Sequence, residues 1–168
     1  MSPSASIVRG TASFDRSGRY RYALTRVWDP SGPRVAFVML NPNRADARSD
    51  DPTIRRCIRF ARDWGFGSLE VVNLFAWRAR HPRDLRRVPD PVGPRDDLAI
   101  RRAAGRAERI VAAWGTGGAL HGRAAAVTQD GPLAAHRLWC LGTTAVGHPR
   151  HPLYVAAATR PRVLVSRP

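Results

Sequence analysis

Arg34-Val35-Ala36-Phe37-Val38-Met39-Leu40-Asn41-Pro42-Asn43 is the stretch on which the reading of this chain turns. An unbroken apolar run from Val35 to Leu40 is what a strand buried on both faces requires, as in a parallel sheet, and the Asn-Pro that follows stops it in a rigid turn. Two later stretches end in the same manner. Leu69-Glu70-Val71-Val72 runs into Asn73-Leu74-Phe75, and Leu138 to Leu141 precedes Gly147-His148-Pro149-Arg150-His151-Pro152-Leu153-Tyr154. The carboxyl ends of strands in an open parallel sheet face one crevice, so polar residues placed there converge from distant parts of the chain. A pocket built from these three strand ends is the expectation.

The flanking sequence supplies the rest of an α/β alternation. Tyr20 to Trp28, punctuated by Asp29-Pro30-Ser31-Gly32-Pro33, reads as an antiparallel hairpin at one edge, leading into the buried strand. Asp51-Pro52 has the form of a helix N-cap followed by an N1 proline, and Ile54, Cys57, Ile58 and Ala61 continue at helical spacing until Gly65 and Gly67. After the strand Leu69 to Val72, the proline-rich stretch His81 to Pro94 is a loop and Asp96 to Arg109 a helix. Ile110 to Trp114 is a strand ending at Gly115-Thr116-Gly117-Gly118, His121 to Thr128 a helix, and Leu138 to Leu141 the last strand. This order predicts one three-layer α/β/α domain over residues 1–168, its core at about 19–163, with a short, mainly parallel central sheet and frayed termini.

Composition narrows the partners. Hydrophobic residues at 43% and charged residues at 24% are ordinary for a globular domain and argue against disorder. The charge balance is not ordinary: 28 basic residues, all arginine, stand against 13 acidic ones, a net charge of +15. Abundant Ala and Pro point to a general compositional bias that also enriches Arg, but so large an excess over Asp and Glu still favours a polyanionic partner, DNA first. Cys57 and Cys140 form no CxxC pair and read as buried thiols, so neither a cysteine-built zinc site nor a cluster is expected. There is no apolar leader or membrane-length apolar run, which fits a cytoplasmic chain, with a monomer plausible.

The candidate residues divide by chemistry. Asn41, held on a proline turn, is able to orient a water or a substrate oxygen, or simply to form the turn. Asn73 interrupts an apolar run, where its amide must satisfy both a donor and an acceptor; a nucleobase edge or nearby backbone would do so. Phe75 is the first choice among the aromatics for stacking on a base. His148 and His151 sit in a proline-stiffened loop without metal-ligand spacing, so no metal and no other cofactor is expected. Neither a GxSxG elbow nor a phosphate-binding GxxxxGK[ST] loop is present.

Asn41-Pro42, Asp51-Pro52-Thr53-Ile54-Arg55-Arg56-Cys57, Val72-Asn73-Leu74-Phe75, Asp90-Pro91-Val92-Gly93-Pro94, Ala113-Trp114-Gly115 and His151-Pro152-Leu153-Tyr154 occur in this order. In them the chain closely resembles a bacterial family known as domain of unknown function 1643, over roughly Arg19 to Val163. The family carries no established chemistry. The same ordered motifs are more distantly similar to the uracil-DNA glycosylase superfamily.

That second resemblance implies a base-flipping N-glycosidic hydrolase. Asn41 would position the attacking water, Pro42, Asn73 and Phe75 would hold the base, and His151 would stabilise the departing base anion. Arg44, His148, Arg150 and Leu153 would contact DNA, Leu153 as the wedge. His148-Pro149 and His151-Pro152 can each stand for the superfamily's His-Pro; His151 is preferred because its tetrad is shared by both resemblances. Asn43 replaces the glycine usual after the first motif's proline, and no Tyr is present there to exclude a thymine methyl, which leaves the base unspecified. A non-catalytic nucleic-acid or modified-base binding module of the same fold, and an enzyme acting on free nucleotides or nucleosides, are the alternative expectations.

Overall fold

The computed structural model describes residues 6–165. Among them the strands are β1 (Arg9–Phe14), β2 (Arg21–Val27), β3 (Arg34–Met39), β4 (Ser68–Asn73), β5 (Arg109–Ala112), β6 (Trp139–Cys140) and β7 (Arg162–Val163). The α-helices are α1 (Pro52–Asp63), α2 (Asp96–Arg106) and α3 (Arg123–Gln129). The strands form one sheet in the order β1-β2-β4-β3-β5-β6-β7. Its centre, β4-β3-β5-β6, is parallel, while β1 and β2 on one side and β7 on the other run antiparallel. Parallel and antiparallel pairings are therefore equal in number, and the sheet is mixed rather than mainly parallel.

The apolar run of β3 is used on both faces. Val35, Phe37 and Met39 join a core cluster with Ile54, Cys57, Ile58, Phe60 and Ala61 of α1. Ala36, Val38 and the following Leu40 join a second cluster with Ile100, Ala103 and Ala104 of α2 and Val127 of α3. Helix α1 starts where the sequence places it: Asp51 Oδ1 accepts from Ile54 N at 2.9 Å and Pro52 opens the first turn, where its missing N–H costs nothing. The connection β3-α1-β4 leaves on one face and β4-α2-β5 returns over the other. Both neighbours of β3 therefore send their chains to the face opposite its own, which opens a crevice at its carboxyl end.

Four expectations are corrected. The strand β2 does not pair with β3: β4 lies between them, and the edge hairpin is β1 with β2, so a strand begins at Arg9. The turn after β2 instead wraps the start of β4, with Trp28 N and Asp29 N both donating to Gly67 O at 3.0 Å. A side chain at Gly67 would collide with the Asp29 carbonyl, so only glycine admits this approach. The proline-rich stretch contains a 3-10 turn at Pro82–Arg87 that buries Leu85. The helix expected from His121 starts at Arg123 instead, after a kinked 3-10 segment at Gly115–Gly122 in which His121 takes a left-handed φ of 55°. The expected Asp96–Arg109 helix stops at Arg106, leaving Arg109 to open β5.

Candidate functional site

Beyond Met39, Leu40-Asn41-Pro42 turns out of the sheet. The amide nitrogen of Asn41 donates to Pro42 O at 3.1 Å and to Ala79 O at 2.9 Å, while Ala79 N donates to Pro42 O at 3.0 Å. With its N–H groups tied to backbone, Asn41 has only Oδ1 left for a further interaction. The turn is thus fixed from the segment after β4 as well as by its proline.

Asn73 closes β4, opposite Met39 in the parallel ladder. It is 1% exposed, and neither Nδ2 nor Oδ1 has a hydrogen-bond partner in the protein. The next peptide is clamped: Leu74 N donates to Met39 O at 2.9 Å, and Leu74 O accepts from Arg123 Nε at 2.7 Å. Arg123 in turn pairs with Asp96 at 3.2 Å and Asp97 at 2.6 Å. Burial raises the Asp96 carboxyl well above the usual carboxylate range, against the pull of Arg123. The ionic network of Arg123 therefore fixes the backbone next to Asn73, whose own side-chain amide remains unpaired.

It borders a cavity of about 230 Å³ whose other walls include Asn41, Pro42, Asp51, Thr53 and His151. Arg21 also lines it, a residue that sequence reasoning missed altogether. Asp51, read from sequence as a cap alone, caps α1 and also accepts from Ala45 N at 3.4 Å. A wider cavity of about 650 Å³ adjoins, sharing Asn41, Asn43, Thr53, His151 and Leu153 and reaching the β5 end at Trp114-Gly115-Thr116-Gly117.

His151 stands between the two. Its Nδ1 accepts from Leu153 N at 3.1 Å, capping the 3-10 turn Pro152–Tyr154. Burial lowers its pKa, opposed by Asp51, so the ring is neutral at neutral pH and the hydrogen bond at Nδ1 places the proton on Nε2. A neutral imidazole N–H donor results.

The other residues singled out from sequence fall in different places. Leu153 is 44% exposed and borders both cavities, Arg44 is exposed at the narrower one, and Arg150 is exposed at the wider one. Arg150 Nε donates to Thr143 O at 3.2 Å. His148 lines neither cavity; its backbone N donates to Thr144 Oγ1 at 3.2 Å. Phe75 is a correction. It is fully buried in the cluster beneath α2 and α3 and lines neither cavity, so no stacking face is offered there. The two cysteines are buried and unpaired, and burial pushes the Cys57 thiol up. Among the described residues no group of three or more His, Cys, Asp or Glu is placed to share a metal ion, and no helix is long and apolar enough to cross a membrane.

Chemically, the residues lining the cavity supply an unpaired amide, a guanidinium, a neutral imidazole donor and an amide oxygen, a set with both donors and acceptors for a polar ligand. These features define an α/β domain with a polar cavity at the carboxyl ends of a mixed sheet. The chain belongs to the family described as Protein of unknown function (DUF1643), whose model matches residues 21–153 and so spans β2 through the His151 turn. No curated protein and no solved structure matches it.

Proposed function

We propose that the cavity seats a nucleobase and that the chain is a glycosylase-like hydrolase that cleaves the N-glycosidic bond of a modified or deaminated base extruded from DNA. The observation that carries this reading is Asn73. A buried amide with both atoms unpaired is costly, and a base edge that presents one donor beside one acceptor satisfies both at once. The parallel order β4-β3-β5-β6, with helices on both faces, supports the finer reading of a three-layer domain like those of uracil-DNA glycosylases.

The residues then take these roles. Asn41 Oδ1 orients a water toward the anomeric carbon, and Pro42 forms the wall beside it. As the water oxygen bonds to that carbon and gives up a proton to solvent, the bond to the base nitrogen breaks and its electron pair stays on the base, which takes up a proton on release. The Nε2–H of His151 stabilises the charge that develops there. Arg44, Arg150 and Leu153 lie at the cavity mouths, where a net charge of +15 favours a phosphate backbone.

The test is incubation of the protein with duplex and single-stranded oligonucleotides carrying a panel of deaminated and modified bases, scored by strand cleavage at abasic sites. Removing a preorganised donor to a developing anion costs about 3 kcal/mol, so His151→Ala is expected to slow cleavage roughly a hundredfold with DNA binding retained. Turnover unchanged in that variant would reject the role of His151. A second reading, binding without cleavage, is favoured by one feature: Asn41 is neutral, and the carboxylate that lines the same cavity, Asp51, is engaged by two backbone N–H groups. Retention of a modified oligonucleotide with no cleavage across the panel would select it.

A further inference from the structure

A bulge in the edge hairpin aims Arg21 into the cavity. In the β1–β2 ladder Ser13 pairs with Ala23 and Phe14 with Arg21, so Tyr22 is the extra residue. Leu24 packs in the α1-side core with Val71 and Met39. Regular alternation from Leu24 would bring Tyr22 to that side and send Arg21 to the α2 side. With the extra residue, Tyr22 and Ala23 both face the groove beside α2, and Arg21 emerges next to Met39 and Val71 on the cavity wall.

The guanidinium that arrives there is 2% exposed. It donates from Nη1 to Ala45 O at 2.9 Å, and its Nε has no partner. Among the described residues it forms no ion pair, and Asp51, which shares the cavity wall, has its two oxygens on Ile54 N and Ala45 N. Burial lowers its pKa to about 10, with Asp51 and Asp46 opposing and Arg78 and Arg26 adding to the fall, so it stays charged at neutral pH. Buried cations are ordinarily matched by a carboxylate or by a bound anion.

We infer that Arg21 contacts the ligand, and that the occupant of the cavity is an anionic nucleobase: a keto-base whose lactam edge meets Asn73 and which also carries a negatively charged oxygen that meets Arg21. The inference rests on the base-binding reading of this cavity and adds the charge of the ligand to it. Asn73 requires a neighbouring donor and acceptor, which a lactam supplies, whereas Arg21 is donor-only and gains most from an anionic oxygen. A neutral base would leave the guanidinium with the more distant charges of Asp51 and Asp46 but no ion-pair partner.

The test uses isosteric probes on the full chain. Uracil, its 5- and 6-carboxylates and the two corresponding carboxamides are titrated by calorimetry. A charge-assisted contact in a buried site predicts at least one carboxylate binding about tenfold or more tighter than its carboxamide, a preference erased in Arg21→Gln and reduced but retained in Arg21→Lys. Equal affinity of each carboxylate and its carboxamide for the wild type overturns the inference, with no variant needed, while leaving base binding intact. If no pyrimidine binds but inorganic phosphate does, in a manner lost in Arg21→Gln, the base reading fails and the anion site at Arg21 stands. If none of these probes binds the folded wild-type protein, both fall.

Discussion

Replacing Asn73 by leucine is expected to make the protein more stable and unable to bind its ligand. Leucine has nearly the shape of asparagine, so the side chain fits the end of β4 with little rearrangement. What is removed is an amide that is 1% exposed and unpaired at both atoms. An unsatisfied buried polar group of this kind costs about 1–3 kcal/mol, and removing it without opening a void should return that amount. For a chain of this size such a gain corresponds to a rise in melting temperature of roughly 3–10 °C. Urea unfolding is the more direct assay: the midpoint should move up while the slope stays the same, because the surface exposed on unfolding is almost unchanged. In parallel, the thermal response to any base that binds the wild type should disappear. A midpoint that moves down at constant slope would show that Asn73 is satisfied within the free protein, and would remove the central argument for a base edge in this cavity.

Three further perturbations probe the frame around the cavity. Asp51→Ala removes the cap of α1 and the acceptor for Ala45 N, and should cost about 1–2 kcal/mol in urea unfolding. Arg123→Met strands the buried Asp96 carboxyl and frees the Leu74 carbonyl next to Asn73; a loss of about 3–5 kcal/mol is expected, partly recovered when Asp96→Leu is added. His151 contributes a pH dependence whose sign follows from burial. Its pKa in the folded chain lies below the ordinary 6.5, so the unfolded chain takes up the proton first as pH falls. Stability from this group is complete above about pH 6.5 and is lost as pH drops through that value toward the folded pKa, and urea midpoints of His151→Gln should fall less than those of the wild type over that range.

What the sequence made legible was local. Val35 to Leu40 announced a strand buried on both faces, and Asp51-Pro52 announced the helix that covers one of them, because each signal is complete within a few residues. Arg21 was not legible because its direction depends on a bulge whose partner strand, β1, lies earlier in the chain; read as a plain strand, Tyr20 to Trp28 places Arg21 on the wrong face. Phe75 failed for a related reason. It shares parity with Asn73, but β4 ends at Asn73 and the chain turns, with Phe75 N donating to Leu40 O, so the ring drops into the core below α2 and α3. Motif alone separates the two histidines in the sequence; their surroundings differ in the fold, where His151 caps the 3-10 turn at Pro152–Tyr154 and lines the cavity and His148 does neither.

The distribution of unpaired groups gives the cavity its strongest claim to be a site. Elsewhere this fold pairs the charges it buries: Glu70 is held by Arg106 at 2.8 Å and Arg34 at 3.6 Å, and Asp96 by Arg123. Arg56, whose Nε is unmatched, still donates to Val155 O from Nη2, and the unmatched oxygen of Asp96 belongs to a carboxyl already engaged through the second. Asn73 alone among these residues has every polar side-chain atom unpaired, and the cavity it borders is also the one into which a strand irregularity turns an arginine without an ion-pair partner. Random imperfection would scatter such costs through the core. Among the described residues, three of the six unmatched buried atoms, both of Asn73 and the Nε of Arg21, belong to residues of this one cavity where the topology opens its crevice, and under the proposed reading they are the groups that a bound base would satisfy.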